Sequence, residues 1–308
     1  MSLEKTTVMS QIPTEGFSVE LRDYQAAALK TVQPTPEGAD PLAVPLFGLV
    51  GEAGSVASLH KKILRDGPAY HGAKAKAREE LGDVLWYVAA VADRFGLDLE
   101  DIAAANLSKI NDRWKPSRPD QPLLDVGYPD NEQLPRTGEI TIALETDAQG
   151  RTFARTTFSG APFGDPLTDA TYVDDDYAMH DVFHFSYAAV LGWSPVARAL
   201  LKRKRKSDPQ VDEAEDGGRA IAIEEGISAL VFAYAAEHNY LDGVQHVDQD
   251  LISTVRSMVA HLEVSAHRAA DWEQAILTGF TAWRALRDRR GGTIEFDLNA
   301  RTLRARPL

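Results

Sequence analysis

The chain has 308 residues, 44% of them hydrophobic, and sets 33 Lys and Arg against 46 Asp and Glu for a net charge of −13. This length predicts two domains with apolar content enough for a sizeable core, and the acidic balance excludes general nucleic-acid binding, which rests on Lys and Arg neutralising phosphates. No apolar run reaches about 18 residues, so no membrane span is expected; the absence of cysteine excludes disulfides, iron–sulfur clusters and thiolate zinc sites, and with no signal-like start a cytoplasmic location is expected.

In chain order, residues 1–18 read as a loosely ordered arm. A helix is predicted over 19–32, with Leu21, Tyr24 and Leu29 on its apolar side. Pro34, Pro36, Gly38 and Pro41 make the next stretch a loop. A helix over 42–65 follows, striped by Leu46, Leu49, Val56, Leu59 and Ile63, and ends at Gly67-Pro68. The next, over 73–95, turns Leu81, Val84, Leu85, Val88 and Val91 inward and stops at Gly96; a fourth covers 98–114. Residues 19–115 are therefore expected to form a four-helix unit, and residues 116–138, with five prolines, a Pro-rich linker. The remainder, 139–308, is expected to be mostly helical with a small antiparallel sheet. Strands at 140–144 and 151–156 flank the turn 147–150, a second hairpin joins 293–296 to 302–304, and the two hairpins pair. Helices are predicted near 172–192, 194–207, 218–239, 245–267 and 271–289 between them. The fold class expected overall is mainly α.

Two short stretches carry most of the chemistry. Gly51-Glu52-Ala53-Gly54-Ser55 and Glu79-Glu80-Leu81-Gly82-Asp83 lie on consecutive amphipathic helices. Glu80 and Asp83 are three apart, as are Glu52 and Ser55, so each pair points to one side of its helix. Glu79-Glu80 alone reads as ordinary helix N-terminal acid. Asp83, set among Leu81, Val84, Leu85 and Trp86, does not, because a lone buried carboxylate is costly. Carboxylates facing one another across two helices repel unless a cation lies between them, and an all-oxygen set suits a hard divalent ion.

On these residues the chain resembles the MazG-like, all-α nucleoside triphosphate pyrophosphohydrolases. The resemblance runs over about residues 19–114 through Asp23-Tyr24-Gln25, Gly48-Leu49-Val50-Gly51-Glu52-Ala53-Gly54-Ser55, Glu79-Glu80-Leu81-Gly82-Asp83 and Asn106-Leu107-Ser108-Lys109. From His180-Asp181-Val182-Phe183-His184 onward the chain looks like the C-terminal domain appended to some of these proteins. The resemblance implies hydrolysis of (deoxy)nucleoside triphosphates or related nucleotides to monophosphate and pyrophosphate, with Mg²⁺ (or Mn²⁺) held by Glu52, Glu80 and Asp83. It also implies Glu79 and Glu80 as catalytic groups, Asn106 and Lys109 on the substrate, and a homodimer or higher oligomer. One departure stands out: the family pattern has a carboxylate where this chain has Ser55, a weak neutral ligand. The alternative is therefore a nucleotide-binding or sensing module with a degenerate site.

The second half echoes the first. Ile223-Glu224-Glu225 leads an apolar helix as Arg78-Glu79-Glu80 does, and Asp181 and His184 stand where Glu52 and Ser55 would, which a degenerate repeat or chance similarity explains equally. His180, Asp181 and His184 share a helical face, with Glu225 able to approach from another helix. Imidazole with carboxylate is a transition-metal set; amid Phe183, Phe185 and Tyr187 a hydrogen-bonded core network serves equally well. The basic run Lys202–Lys206 reads either as a docking patch for an acidic partner or as a solvated helix end balanced by Asp208, Asp212, Glu213, Glu215 and Asp216.

Overall fold

The structure, a computed structural model, describes residues 18–35, 37–116, 122–168, 172 and 175–306. Nearly all of the expected N-terminal arm, with Pro36 and Pro119, lies outside the described residues. Contacts divide the chain into two units, residues 1–109 and 110–308. Together they match the predicted class, mainly helical with one small antiparallel sheet.

In the first unit, α1 (Leu21–Leu29), α2 (Ala43–Asp66) and α3 (Ala73–Arg94) precede α4 (Leu99–Trp114). Gly67, at φ 54°, ends α2 in a conformation that favours glycine, and a single 3₁₀ turn, Gly67–Ala69, leads towards α3. The α2–α3 pair is drawn close at Gly48, where a Cβ would run into the ring of Tyr87. The ring therefore lies against bare α2 backbone. Gln25 of α1 fixes the entry to α4: its Nε2 donates to Leu97 O at 3.0 Å and its Oε1 accepts from Leu99 N at 2.8 Å. The core is small, comprising Ala28, Ala89, Ala92 and Leu99 with Tyr24, Trp86 and Val88 beside them. Leu46, Leu81 and Leu85, expected inward, are instead exposed, as is Leu21 at the start of α1. The reason is one of reach, since α1 has 9 residues and cannot cover both flanks of a pair whose first helix has 24.

The second unit holds β1 (Thr137–Thr146), β2 (Thr152–Phe158), β3 (Ala161–Pro162), β4 (Gly291–Asp297) and β5 (Thr302–Ala305) in the antiparallel order β3-β2-β1-β4-β5. The two predicted hairpins join through β1 and β4, with Ile140 opposite Ile294. Alternation sends Ile140, Ile142, Ala154, Ile294, Phe296 and Leu303 into the core and leaves Thr141 and Thr293 outside, their hydroxyls 3.1 Å apart. Beneath the sheet lie α5 (Asp181–Leu191), buried on every side, and α10 (Ala269–Arg289). Around them pack α6 (Pro195–Leu200), α7 (Pro209–Ala214), α8 (Gly218–Glu237) and α9 (Gln249–Met258).

Three helix expectations need correction. The helix expected from 172 begins at Asp181, after one 3₁₀ turn at Tyr177–Met179. The helix expected over 194–207 stops at Leu200, and Lys202 takes φ 57°. The helix expected over 245–267 is α9 followed by a short 3₁₀ turn, Glu263–Ala266. Part of the Pro-rich stretch is held firmly. Buried Asp125 accepts from Leu134 N at 2.8 Å, Arg136 Nη1 at 2.8 Å and Arg198 Nη2 at 3.0 Å.

Candidate functional site

Carboxylate oxygens of Glu52 on α2 and of Glu80 and Asp83 on α3 all lie within 4.8 Å of one another. Helical spacing places Glu80 and Asp83 on one side of α3, and the close α2–α3 packing at Gly48 and Tyr87 brings Glu52 to face them. Glu80 keeps 12% of its side chain exposed, Glu52 is half-buried and Asp83 exposed. Lys76, one turn earlier on α3, reaches Glu79 at 2.8 Å and Glu80 at 3.1 Å. Hydrogen bonds to these two carboxylates hold its ammonium above the usual lysine range. Tyr24 of α1 completes the surroundings; burial, and then the charge of Asp83, push its phenol up. A Cβ at Gly51, Gly54 or Gly82 would meet nothing within 4 Å. Among the described residues nothing packs against those glycines, and they leave the acidic face open.

Ser55 is half-buried one turn beyond Glu52. Glu79 is exposed and engaged with Lys76. Asn106 and Lys109 are exposed on α4, and among the described residues no hydrogen bond or ion pair joins either to the carboxylates. The aromatic residues divide. Phe47 is exposed, Trp86 donates from Nε1 to Thr31 Oγ1 at 2.8 Å, and Tyr87 sits edge-on to Trp86. The role of Gln25 as clamp for the start of α4 was not foreseen; its only signal was a polar residue on the inward side of α1. Chemically, three carboxylates this close, with one lysine shared towards Glu79, form an excess of negative oxygen donors. Such a set fits a hard divalent cation and, through it, phosphate.

The second predicted cluster also assembles. Donor atoms of His180, Asp181 and His184, all buried, lie within 4.8 Å of one another. From α8, Glu224 Oε1 meets His184 Nδ1 at 2.9 Å, and Glu225 Oε2 stands 3.5 Å from His184 Nε2 and 3.6 Å from His180 Nε2. Glu224 is fully buried yet satisfied, accepting also from Ser194 Oγ at 2.7 Å and Val196 N at 2.8 Å. Ser194-Pro195 is the start signal of α6: the serine oxygen caps Ala197 N, and proline takes the first helical position. Burial alone would lower the His184 imidazolium, but the charge and hydrogen bond of Glu224, aided by Glu225, push it up to about 10. Burial raises the Asp181 carboxyl against the pull of the two histidines. For Glu225 the histidines outweigh burial and hold its carboxyl well below the usual range.

The basic run divides: Lys202 and Lys206 are exposed, Arg203 and Lys204 are half-buried, and Arg205 turns inward. Arg205 is buried, bonded to Asp216 at 2.7 Å and Glu263 at 2.6 Å, with its guanidinium 5.4 Å from the ring centre of Tyr128. Of the acids downstream, Asp216 forms this buried pair, while Asp208 caps α7 through Gln210 N and Val211 N.

A helical unit with an open, oxygen-only carboxylate cluster across two helices, followed by a helical unit with a small antiparallel sheet, defines a class of acidic-site α-proteins suited to phosphate chemistry through a hard cation. Comparison with known proteins makes this specific. The chain belongs to the MazG family: residues 47–117 match the MazG nucleotide pyrophosphohydrolase domain, and residues 119–308 match the MazG C-terminal domain. Among relatives, the Gene 37 protein of Mycobacterium phage L5 is 40% identical over 96 residues, which span 29% of this chain and 84% of that protein. No solved structure matches. No described helix is long and apolar enough to cross a membrane.

Proposed function

We propose that the chain hydrolyses (deoxy)nucleoside triphosphates or related nucleotides at the α–β junction, giving a nucleoside monophosphate and pyrophosphate. Glu52, Glu80 and Asp83 would hold Mg²⁺, with Mn²⁺ as a substitute and Ser55 contributing weakly. The observation that carries this reading is the 4.8 Å convergence of the three carboxylates across α2 and α3. A bound ion would supply a water of lowered pKa and a bridge to the phosphates. Around it, Lys76 steadies Glu80, and Glu79, once free of Lys76, is the group to take the proton of the attacking water. Lys109 would face the phosphates as a point charge and Asn106 would orient sugar or phosphate. The exposed Val44, Phe47, Val50 and Leu81 support a homo-oligomer, a second copy covering what α1 does not.

Pyrophosphate release across a nucleotide panel, with and without Mg²⁺, tests the proposal. Glu80→Gln is expected to lose more than about 100-fold in kcat/KM, since even outer-shell changes at a metal site cost 10–100-fold. No release from any nucleotide at saturating Mg²⁺ would remove it. The second reading, a degenerate nucleotide-binding module, is favoured by Ser55 alone. It predicts thermal stabilisation by nucleotide without turnover, and fails if no nucleotide shifts the melt.

A further inference from the structure

We propose that His180, Asp181, His184 and Glu225 form a second metal site, in the C-terminal unit, for a divalent transition ion of the zinc type. The central residue is His184. Its imidazole is wholly buried, Nδ1 is engaged by Glu224, and among the described residues Nε2 has no hydrogen-bond partner. Oε2 of Glu225 stands 3.5 Å from Nε2, beyond hydrogen-bond range. A core network built for its own sake would close that gap, because an unmade bond on a buried nitrogen destabilises the fold.

The spacing suits an ion instead. Ligand bonds of about 2.0–2.1 Å set neighbouring donors roughly 3.3–3.4 Å apart in a tetrahedron. One Glu225 oxygen stands 3.5 Å from His184 Nε2 and 3.6 Å from His180 Nε2, so a small closure brings three donors onto one centre. Asp181 supplies a fourth donor within the same 4.8 Å group.

The surroundings of His184 are those of a ligand histidine. Glu224 accepts from Nδ1 and is itself fixed by Ser194 Oγ and Val196 N. It thereby orients the ring and directs the Nε2 lone pair at the centre, as carboxylates behind metal-bound histidines do. Metal binding displaces the proton that Nε2 otherwise carries. The mixed imidazole and carboxylate donors favour zinc or a neighbouring transition ion over magnesium, in contrast to the oxygen-only set of α2 and α3. A cavity of about 400 Å³, whose wall includes His180, Asp181, Glu225, Phe163, Gly164 and Leu200, opens onto the site. An ion held there has a face available to water or an anionic ligand.

The test uses the full chain carrying Glu80→Gln to weaken the first-unit carboxylates. After stripping with a chelator, the protein is dialysed against zinc with excess magnesium, and bound zinc is measured by elemental mass spectrometry. About one zinc ion per chain is expected. Adding Glu225→Gln, at a side chain 42% exposed and so replaceable without unfolding, is expected to weaken zinc binding at least about tenfold. Cobalt in place of zinc is expected to give visible bands that Glu225→Gln removes while far-UV circular dichroism stays unchanged. Absence of bound zinc in the Glu80→Gln chain overturns the proposal. Zinc or cobalt binding that is equal with and without Glu225→Gln, in folded protein, overturns it too.

Discussion

Glu79-Glu80 of α3 and Glu224-Glu225 of α8 are the same dipeptide in long helices, yet the two units use them differently. Glu80 sits on a shallow helix pair, keeps 12% of its side chain exposed and is met by one lysine. Glu224 lies on a deep aromatic core and accepts from His184, Ser194 and Val196. In the first unit the carboxylates converge with too few protein cations, so their charge is available to an ion from solution. In the second unit the protein satisfies Glu224 itself, and among the described residues the unmet demand is left on His184 Nε2, 3.5 Å from Glu225. The depth of the core beneath a helix decides whether its acids serve chemistry or structure.

That contrast is most exposed in the buried arginine network. Asp216, fully buried, joins Arg205 at 2.7 Å and Arg198 at 3.7 Å. Asp216→Ala is expected to destabilise the chain by about 3–5 kcal/mol, because it strands buried guanidinium charge. Glu80→Gln loses its pairing with Lys76 but is relieved of repulsion from Glu52 and Asp83, and should shift stability by no more than about 1 kcal/mol. Denaturant unfolding of both variants decides the matter, and near-equal losses would break the contrast. The next effect belongs to the close helix contact of the first unit. Gly48→Ala drives a methyl into the Tyr87 ring and is expected to cost about 1–3 kcal/mol through overpacking. A double-mutant cycle with Tyr87→Ala should return a coupling of about 0.5–3 kcal/mol; additive losses would show that the ring moves aside freely.

How much of this was legible in the sequence follows the same division. In the first unit the helix pair, its ends at Gly67 and Gly96 and the shared face of Glu80 and Asp83 could be read directly from i,i+3 spacing, whereas the joining of Glu52 to them rested on the family resemblance. Burial could not be read. Leu81 and Leu85 fit an inward stripe, but periodicity states only that a face is apolar, not that anything covers it. In the second unit both hairpins were legible from their turns. Asp147 accepts from the backbone N–H groups of Gln149 and Arg151, and Gly150 takes φ 80°. Within the basic run the balance by Asp216 was legible, but the burial of Arg205 was not, because it depends on Tyr128 and Glu263, which only the fold brings to it. Similarly, His180, Asp181 and His184 were visible as one face of a helix, whereas the fixing of His184 by Glu224 and Ser194 depends on three helices meeting.

Ser55 allows the first unit to be sharpened. A carboxylate there would add a fourth oxygen acid on the side of α2 that carries Glu52. Ser55→Glu is expected to tighten Mg²⁺ binding about tenfold, roughly 1.4 kcal/mol, since ligand charge count sets the affinity of such sites. Titration calorimetry of the parent and variant checks this. Unchanged affinity would mean that Ser55 does not face the cluster, and that the chain's departure from the family pattern has no bearing on the metal.

The smallest effect tests whether acids in the second unit hold structure in a pH-dependent way. Glu273 accepts from Arg113 Nη2 at 2.8 Å, Val247 N at 2.7 Å and His246 Nδ1 at 3.2 Å. Burial alone would raise its carboxyl; the Arg113, Val247 and His246 bonds outweigh burial and lower it from the usual 4.5. A carboxyl lowered in the folded state binds fewer protons there than in the unfolded chain, so stability rises with pH across that window. The contribution of Glu273 is full above pH 4.5 and drains away as pH falls from there through its lowered folded value. Melting profiles of the parent and Glu273→Gln, followed downward from neutral pH, should show a constant gap above pH 4.5 and a narrowing one below it. Titrating groups out of contact with Glu273 cancel in that difference. A gap that stays constant into acid would mean that Glu273 acts through shape and hydrogen bonding alone, with no net contribution from its charge.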